Sequence, residues 1–286
     1  MKKSYFKYIT ALILFGSNGF VASHIGLSSY EIVLLRTFIG GLFLTAIFFL
    51  SKQKLTFYKH GKDMFYMGIS GVAMGASWMF LYEAYAQIGV SIATLLYYSG
   101  PVIVMVLSPF LFKEKLTWVK IGGFLAVLCG IFFINGSAAH DGGNLFGVFC
   151  GLMSAVTYAV MVIANKRAGH IQGMENSVLQ LVISFLTVAV FVGFKSGFAL
   201  QIRADDWLWI LLLGLLNTGI GCYFYFSSIG NLPIQTVAIC GYLEPLSAVV
   251  FSVLLLKETL LPLQILGAAL IIGGALFGEV AAKRRD

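Results

Sequence analysis

The chain predicts an all-α membrane protein: ten transmembrane helices arranged as two inverted five-helix repeats. Three observations lead there. Hydrophobic residues make up 59% of the 286 and charged residues only 11%, whereas a soluble domain carries about a quarter charged residues to satisfy water over its surface. Ten separate apolar runs are each long enough to cross a bilayer. The sequence also repeats itself at a fixed offset that contains an odd number of those runs.

A span needs about 20 apolar residues at 1.5 Å rise per residue. The runs are 6–23, 30–50, 64–86, 90–112, 118–135, 144–164, 175–194, 207–228, 233–256 and 261–279. Turn chemistry separates them. Ser28 and Ser29 offer caps to the second run, Gly89-Val90-Ser91 parts the third from the fourth, and Gly230-Asn231-Leu232-Pro233 parts the eighth from the ninth. The first run follows Lys2, Lys3 and Lys7 as a signal peptide would, but the repeat requires it as its first helix. Cys129, Cys150, Cys222 and Cys240 lie in apolar runs without a C-x-x-C pair, as buried free thiols do.

Net charge is +7, yet the basic residues form no nucleic-acid patch. They sit in short clusters between runs. The amino end, the even-to-odd loops and the carboxyl end hold fifteen Lys and Arg; the odd-to-even loops hold Lys195, Arg203 and Lys257. Basic loops stay in the cytoplasm, which places both termini there and the 137–143 loop outside. The expected location is the cell membrane, a bacterial inner membrane.

Shifted by 144 residues, the segment 75–130 matches itself at thirteen positions. They include Gly75/Gly219, Tyr98/Tyr242, Pro101/Pro245, Lys113/Lys257, Glu114/Glu258 and Gly130/Gly274. Apolar composition alone does not supply a proline, a Lys-Glu pair and three glycines at one ungapped offset. The units are residues 1–137 and 138–286. Each holds five runs, so the second lies inverted in the membrane. Inverted repeats let two similar halves exchange conformations around a midplane site.

Two halves, each with a proline-bearing fourth helix, a Lys-Glu turn and a glycine-bearing last helix, resemble the EamA-type ten-helix branch of the drug/metabolite transporter superfamily. The matching stretches are Gly100-Pro101-Val102 through Phe112-Lys113-Glu114-Lys115-Leu116, and Tyr242-Leu243-Glu244-Pro245-Leu246 through Lys257-Glu258-Thr259-Leu260. The resemblance covers essentially the whole chain. It implies alternating access and the export or uptake of a small solute, with the fifth and tenth helices peripheral.

Charged groups within spans are costly and mark solute pathways. Glu244 is the deepest, among the small neighbours Cys240, Gly241, Ser247 and Ala248. It is read as a substrate and proton-coupling carboxylate, with helix pairing as the alternative. Pro245 and Pro101 are hinge positions, because proline removes a helical hydrogen bond. Arg36 holds a substrate carboxylate, pairs with Glu31 or Glu83, or snorkels outward. Glu31 and Glu83 fit solvated helix ends. Tyr82, Tyr98, Tyr158, Tyr242, Trp78, Asn18 and Asn217 complete the substrate-binding set, against a packing role for an aromatic stripe. Gln180 raises the same question as Asn18.

No H-E-x-x-H, G-x-S-x-G or phosphate loop is present, and His24, His60, His140 and His170 fall in loops. Neither an enzyme, a cofactor, a metal nor ATP drive is expected. Partners are a small-molecule substrate, protons and the lipid bilayer. Arg36 with Glu244 suits an amino acid or related zwitterion exporter. Glu244 with the tyrosines and Trp78 suits a proton-coupled organic cation transporter. A non-transporting scaffold or sensor is the alternative of another class.

Overall fold

The structure is a computed structural model, and it describes residues 2–88, 93, 96–112, 117–135, 145–198, 200–255, 262–263, 265–267, 269–270, 273–274 and 277. The Lys-Glu turns, the 137–143 loop and most of the tenth run lie outside the described residues. Every regular element described is helical. In order they are α1 (Lys2–Gly16), α2 (Asn18–Ala22), α3 (Ser29–Leu50), α4 (Gly61–Ile88), α5 (Gly100–Phe112), α6 (Trp118–Asn135), α7 (Leu145–Arg167), α8 (Gly173–Ser196), α9 (Asp206–Leu211), a π-helical segment (Leu212–Ile220), α10 (Gly221–Ile229), α11 (Ile234–Gly241) and α12 (Leu243–Leu255).

Five helices among the described residues are long and apolar enough to cross a membrane: Ser29–Leu50, Gly61–Tyr85, Leu145–Arg167, Gly173–Ser196 and Asp206–Ile229. Apolar side chains cover the outside of the molecule as well as its core. Phe6, Leu50, Phe110, Trp118 and Phe194 point outward, while Arg36, Asn165, Asn176, Gln180 and Asn217 are buried. That arrangement suits hydrocarbon, where polar groups find partners only in the interior.

Local chemistry sets the ends. At the start of α3 the Ser28 backbone N–H (2.8 Å) and hydroxyl (2.6 Å) both donate to the Glu31 carboxylate, so Glu31 caps its own helix. Pro233 precedes α11 where the Gly230–Pro233 turn was expected. Gly197 closes α8 at φ +65°, a conformation costly for other residues.

Contacts at both ends fix helix directions. Asp63 meets His170 where α4 and α8 begin, and Glu83 meets Lys195 where they finish, so these helices run parallel. Gly26 meets Asp206, and Phe43 lies over Gly219, so α3 runs parallel to the helix from Asp206 to Ile229. Tyr30 packs on Phe191 and Phe38 on Phe185, so α3 and α8 are antiparallel.

The two parallel pairs use matching residues. A Cβ placed on Gly71 would meet the Ile183 Cβ at 2.6 Å, and one on Gly214 the Ile39 Cβ at 2.7 Å. One turn on, a Cβ on Gly75 would meet Thr187 at 3.1 Å, and one on Gly219 would meet Phe43 at 2.7 Å. Ile39 and Ile183, like Phe43 and Thr187, are 144 positions apart. Gly75 and Gly219 keep that spacing, but Gly71 and Gly214 are 143 apart. The extra residue is absorbed by the π-helical turn of Leu212–Ile220, the usual way a helix accommodates one inserted residue.

Runs expected to be continuous are broken. The fourth turns at Tyr98-Ser99 before Gly100-Pro101, and the ninth at Tyr242 before Leu243-Glu244-Pro245. Each proline therefore sits in a first helical turn, where its missing N–H costs nothing. The Tyr242 hydroxyl donates to the Tyr98 carbonyl at 2.8 Å, so the two breaks meet. The first run breaks as well, at Ser17. Cys150, Cys222 and Cys240 are buried, but Cys129 is exposed: α6 presents it outward with Leu125 and Phe132. An apolar run does not specify which face of its helix a thiol occupies.

Candidate functional site

The three breaks surround a central cavity of about 40 Å³, room for roughly three waters. Its lining includes Phe15 and Asn18 from the first run, Ser77 and Trp78 from α4, Tyr97 beside the fourth-run break, Tyr158 from α7, Cys222 and Tyr225 from α10, and Glu244 at the start of α12.

Glu244 reaches the cavity because the chain unwinds at Tyr242 and restarts one residue later. Gly16 allows this approach: a Cβ there would lie 2.8 Å from the Glu244 carbonyl and would collide with the Ser247 hydroxyl. The Ser247 hydroxyl itself donates to the Glu244 carbonyl at 2.8 Å. Among the described residues the Glu244 carboxylate has neither a hydrogen bond nor an ion pair.

Arg36, on α3, is only 2% exposed. Its Nε donates to the Thr218 hydroxyl at 3.0 Å, one terminal nitrogen to the Tyr82 hydroxyl at 3.4 Å, and its guanidinium lies 4.3 Å from the Trp78 ring centroid. The other terminal nitrogen is without a partner among the described residues. Thr218 belongs to the π-helical segment and donates in turn to the Leu213 carbonyl five residues back, at 2.7 Å. Neither Glu31 nor Glu83 pairs with Arg36: Glu31 caps its helix and Glu83 faces Lys195 at 3.6 Å. Arg36 and Glu244 make no ion pair with each other among the described residues.

Of the residues singled out in the sequence, Glu244, Trp78, Tyr158 and Asn18 line the cavity. Asn217 stands behind it, donating to Asn18 Oδ1 at 3.0 Å, Ser17 Oγ at 2.8 Å and the Leu14 carbonyl at 3.0 Å. It thereby ties the π-helical segment to the break at Ser17, whose own N–H and hydroxyl also donate to the Leu14 carbonyl. Tyr82 holds Arg36, while Tyr98 and Tyr242 pin the two broken helices together. Tyr97, Tyr225, Ser77 and Cys222 also border the cavity, with Met74, Met161 and Phe226. Tyr97 and Tyr225 carry the same signal as the other mid-span tyrosines, a hydroxyl that needs a partner in hydrocarbon; Ser77 and Cys222 leave none, since small weakly polar residues abound in packed spans.

The apolar exterior, the polar groups buried within it and a cavity framed by discontinuous helices define a multi-pass membrane protein built around a central site. Residues 2–136 and 145–278 both match the EamA-like transporter family. The chain belongs to that family and is a transporter. It is 26% identical over 271 residues to the uncharacterized transporter YxxF of Bacillus subtilis, covering 94% of this chain and 86% of that one. It is also 26% identical over 262 residues to the threonine/homoserine exporter RhtA of Escherichia coli K12, covering 88% and 82%. A solved crystal structure shares the fold with a TM-score of 0.84, over 97% of this chain and 98% of the other at 20% identity.

Proposed function

We propose that the protein is a secondary-active exporter of an amino acid or related zwitterion, working by alternating access in the cell membrane with both termini cytoplasmic. Its ten spans form two inverted repeats, residues 1–137 and 138–286. The matched glycine contacts support this: Gly71 and Gly75 pack on α8 as Gly214 and Gly219 pack on α3, while α3 and α8 run antiparallel. Two halves related in this way can open one site to either side in turn.

One observation carries the substrate class. Arg36 is buried with one terminal nitrogen unbonded, and Glu244 borders the cavity with no hydrogen bond or ion pair among the described residues. A buried donor left unbonded is costly, and a zwitterion supplies a carboxylate for Arg36 and an ammonium for Glu244 at once. The cavity of about 40 Å³ is too small for such a solute as it stands, so loading requires the halves to move apart. That a relative is named a threonine/homoserine exporter supports a small zwitterion. Tyr97, Tyr158 and Tyr225 around Glu244 favour an organic cation instead, but Arg36 occupies a face of Trp78 and repels a cation from that side.

Purified protein in liposomes tests the reading by counterflow of labelled threonine, homoserine, other neutral amino acids and choline. Saturable exchange of an amino acid and none of choline is expected. Choline exchange alone establishes the cation reading. No flux for any of these solutes overturns the amino-acid reading.

A further inference from the structure

We propose that Asp63 and Asp206 are paired gating residues, one at each end of the bundle, and that Glu175 makes the Asp63 end the more firmly closed. The proposal rests on the alternating-access reading above. Asp63 Oδ2 accepts the His170 backbone N–H at 2.7 Å and lies 2.8 Å from His170 Nδ1. Asp206 Oδ1 accepts the Gly26 backbone N–H at 3.1 Å. His170 and Gly26 are 144 positions apart, and Asp206 and Asp63 are 143 apart, the spacing that holds before the π-helical turn. The same bond is thus made twice, by matching residues. Each time a carboxylate at the start of one half's third span takes a main-chain N–H from the other half's first loop. Because α3 and α8 are antiparallel, the two bonds lie at opposite ends of the molecule. Parting the halves at one end must break the bond there and can leave the other intact.

The ends are not equally held. Glu175 accepts the backbone N–H groups of Thr56 at 2.5 Å and Phe57 at 2.9 Å, and the Thr56 hydroxyl at 2.6 Å. It ties the start of α8 to the 51–60 loop of the other half. Its counterpart 144 positions earlier, Glu31, is turned onto Ser28 of its own helix. At the Asp206 end the same carboxylate is shared with Arg203, through Nε at 3.2 Å and a terminal nitrogen at 2.9 Å, a contact within one half. The Glu83–Lys195 pair at that end spans 3.6 Å with Lys195 half exposed, and exposed ion pairs contribute little. Asp206 is as buried as Glu175, so the difference lies in how many charge-assisted bonds, the strong ones, cross between the halves: Asp63 and Glu175 make several, and Asp206 one.

Cys222 in the cavity wall is a native reporter. With Cys129, Cys150 and Cys240 replaced by alanine, a membrane-impermeant maleimide is applied from each side of oriented vesicles. Asp63→Ala and Glu175→Gln should each raise the Cys222 labelling rate several-fold from the basic, cytoplasmic side alone. Asp206→Ala should raise it from the opposite side alone. Unchanged rates, or equal rises from both sides in protein that keeps its melting temperature, overturn the proposal. Should a variant fail to fold, Asp63→Cys with His170→Cys gives a second measurement. Oxidation should stop labelling from the cytoplasmic side and reduction restore it; labelling indifferent to oxidation overturns the gating role. Labelling does not depend on knowing the solute, so it separates this proposal from the flux assay that judges the substrate.

Discussion

Arg36 and Gln180 occupy matching positions 144 residues apart, one in each half, and their partners match as well. Arg36 Nε donates to Thr218 at 3.0 Å, whereas Gln180 Nε2 approaches the Met74 sulfur at 3.8 Å; Thr218 and Met74 are also 144 apart. Gln180 is further satisfied by Asn165 Nδ2 on its Oε1 at 3.3 Å. The first half has thus placed a charge with a spare donor where the second half has a neutral amide in a closed polar network. Glu244 and Gly100 differ in the same sense. Glu244 borders the cavity, while a Cβ on Gly100 would already meet Tyr158 at 2.7 Å. Identity between the halves builds the scaffold, and departure from it places the charges.

The difference is best broken by copying one half into the other. Arg36→Gln imports the residue its counterpart carries, so the chain should fold. Binding of a carboxylate-bearing solute should fall roughly tenfold to a hundredfold, the worth of a hydrogen bond to a charged group. Ligand-induced thermal shift measures it, and unchanged affinity would mean that Arg36 serves only packing. Glu244→Gln keeps shape while removing charge. Flux driven by a pH gradient should disappear, and affinity for an ammonium group should drop more than tenfold, about 1.4 kcal/mol. A wild-type rate with unaltered pH dependence would make the carboxylate structural.

Deleting Leu215 should return the π-helical segment to α-helical register while Gly214 and Gly219 keep Ile39 and Phe43, since Gly71 and Gly75 already pack one α-helical turn apart on Ile183 and Thr187. The chain should fold with its helix content retained by circular dichroism; loss of the fold would mean that the π-helical turn does more than absorb one residue. Smaller effects come from the shared scaffold. Gly71→Ala and Gly214→Ala should each cost about 1–3 kcal/mol by overpacking onto Ile183 and Ile39, visible as similar losses in melting temperature. A large cost for one alone would contradict matched packing. Cys129→Ala, on the outward face, should stay within about 0.5 kcal/mol in the same assay.

Much of the fold could be read along the chain because its causes are local. Apolar length marks spans, and turn residues such as Gly230–Pro233 mark their ends. The site was read less completely. Glu244 and Trp78 stand out as costly or bulky groups in hydrocarbon, and both border the cavity. Tyr98 and Tyr242 stand out equally, yet their bond to each other serves the broken helices. A mid-span tyrosine announces that it needs a partner without naming it.

The sequence by itself determined the solvent, the helices and the offset of 144 that relates the halves. Each follows from composition or spacing, summed over many residues and insensitive to any one. Only the tertiary structure decided where that offset slips. Asp63 and Asp206 do not align at 144, and the π-helical turn that brings them into equivalence is visible only once Gly214 and Gly219 are seen against Ile39 and Phe43. It also decided that Arg36 meets Thr218 rather than an acidic residue, and that Glu175 crosses to Thr56 while Glu31 stays on its own helix. Hydrophobic burial is non-directional and is recorded in the local pattern. A close glycine contact or a polar bond needs one partner at one distance, and those of Gly214, Arg36 and Glu175 lie more than a hundred residues away.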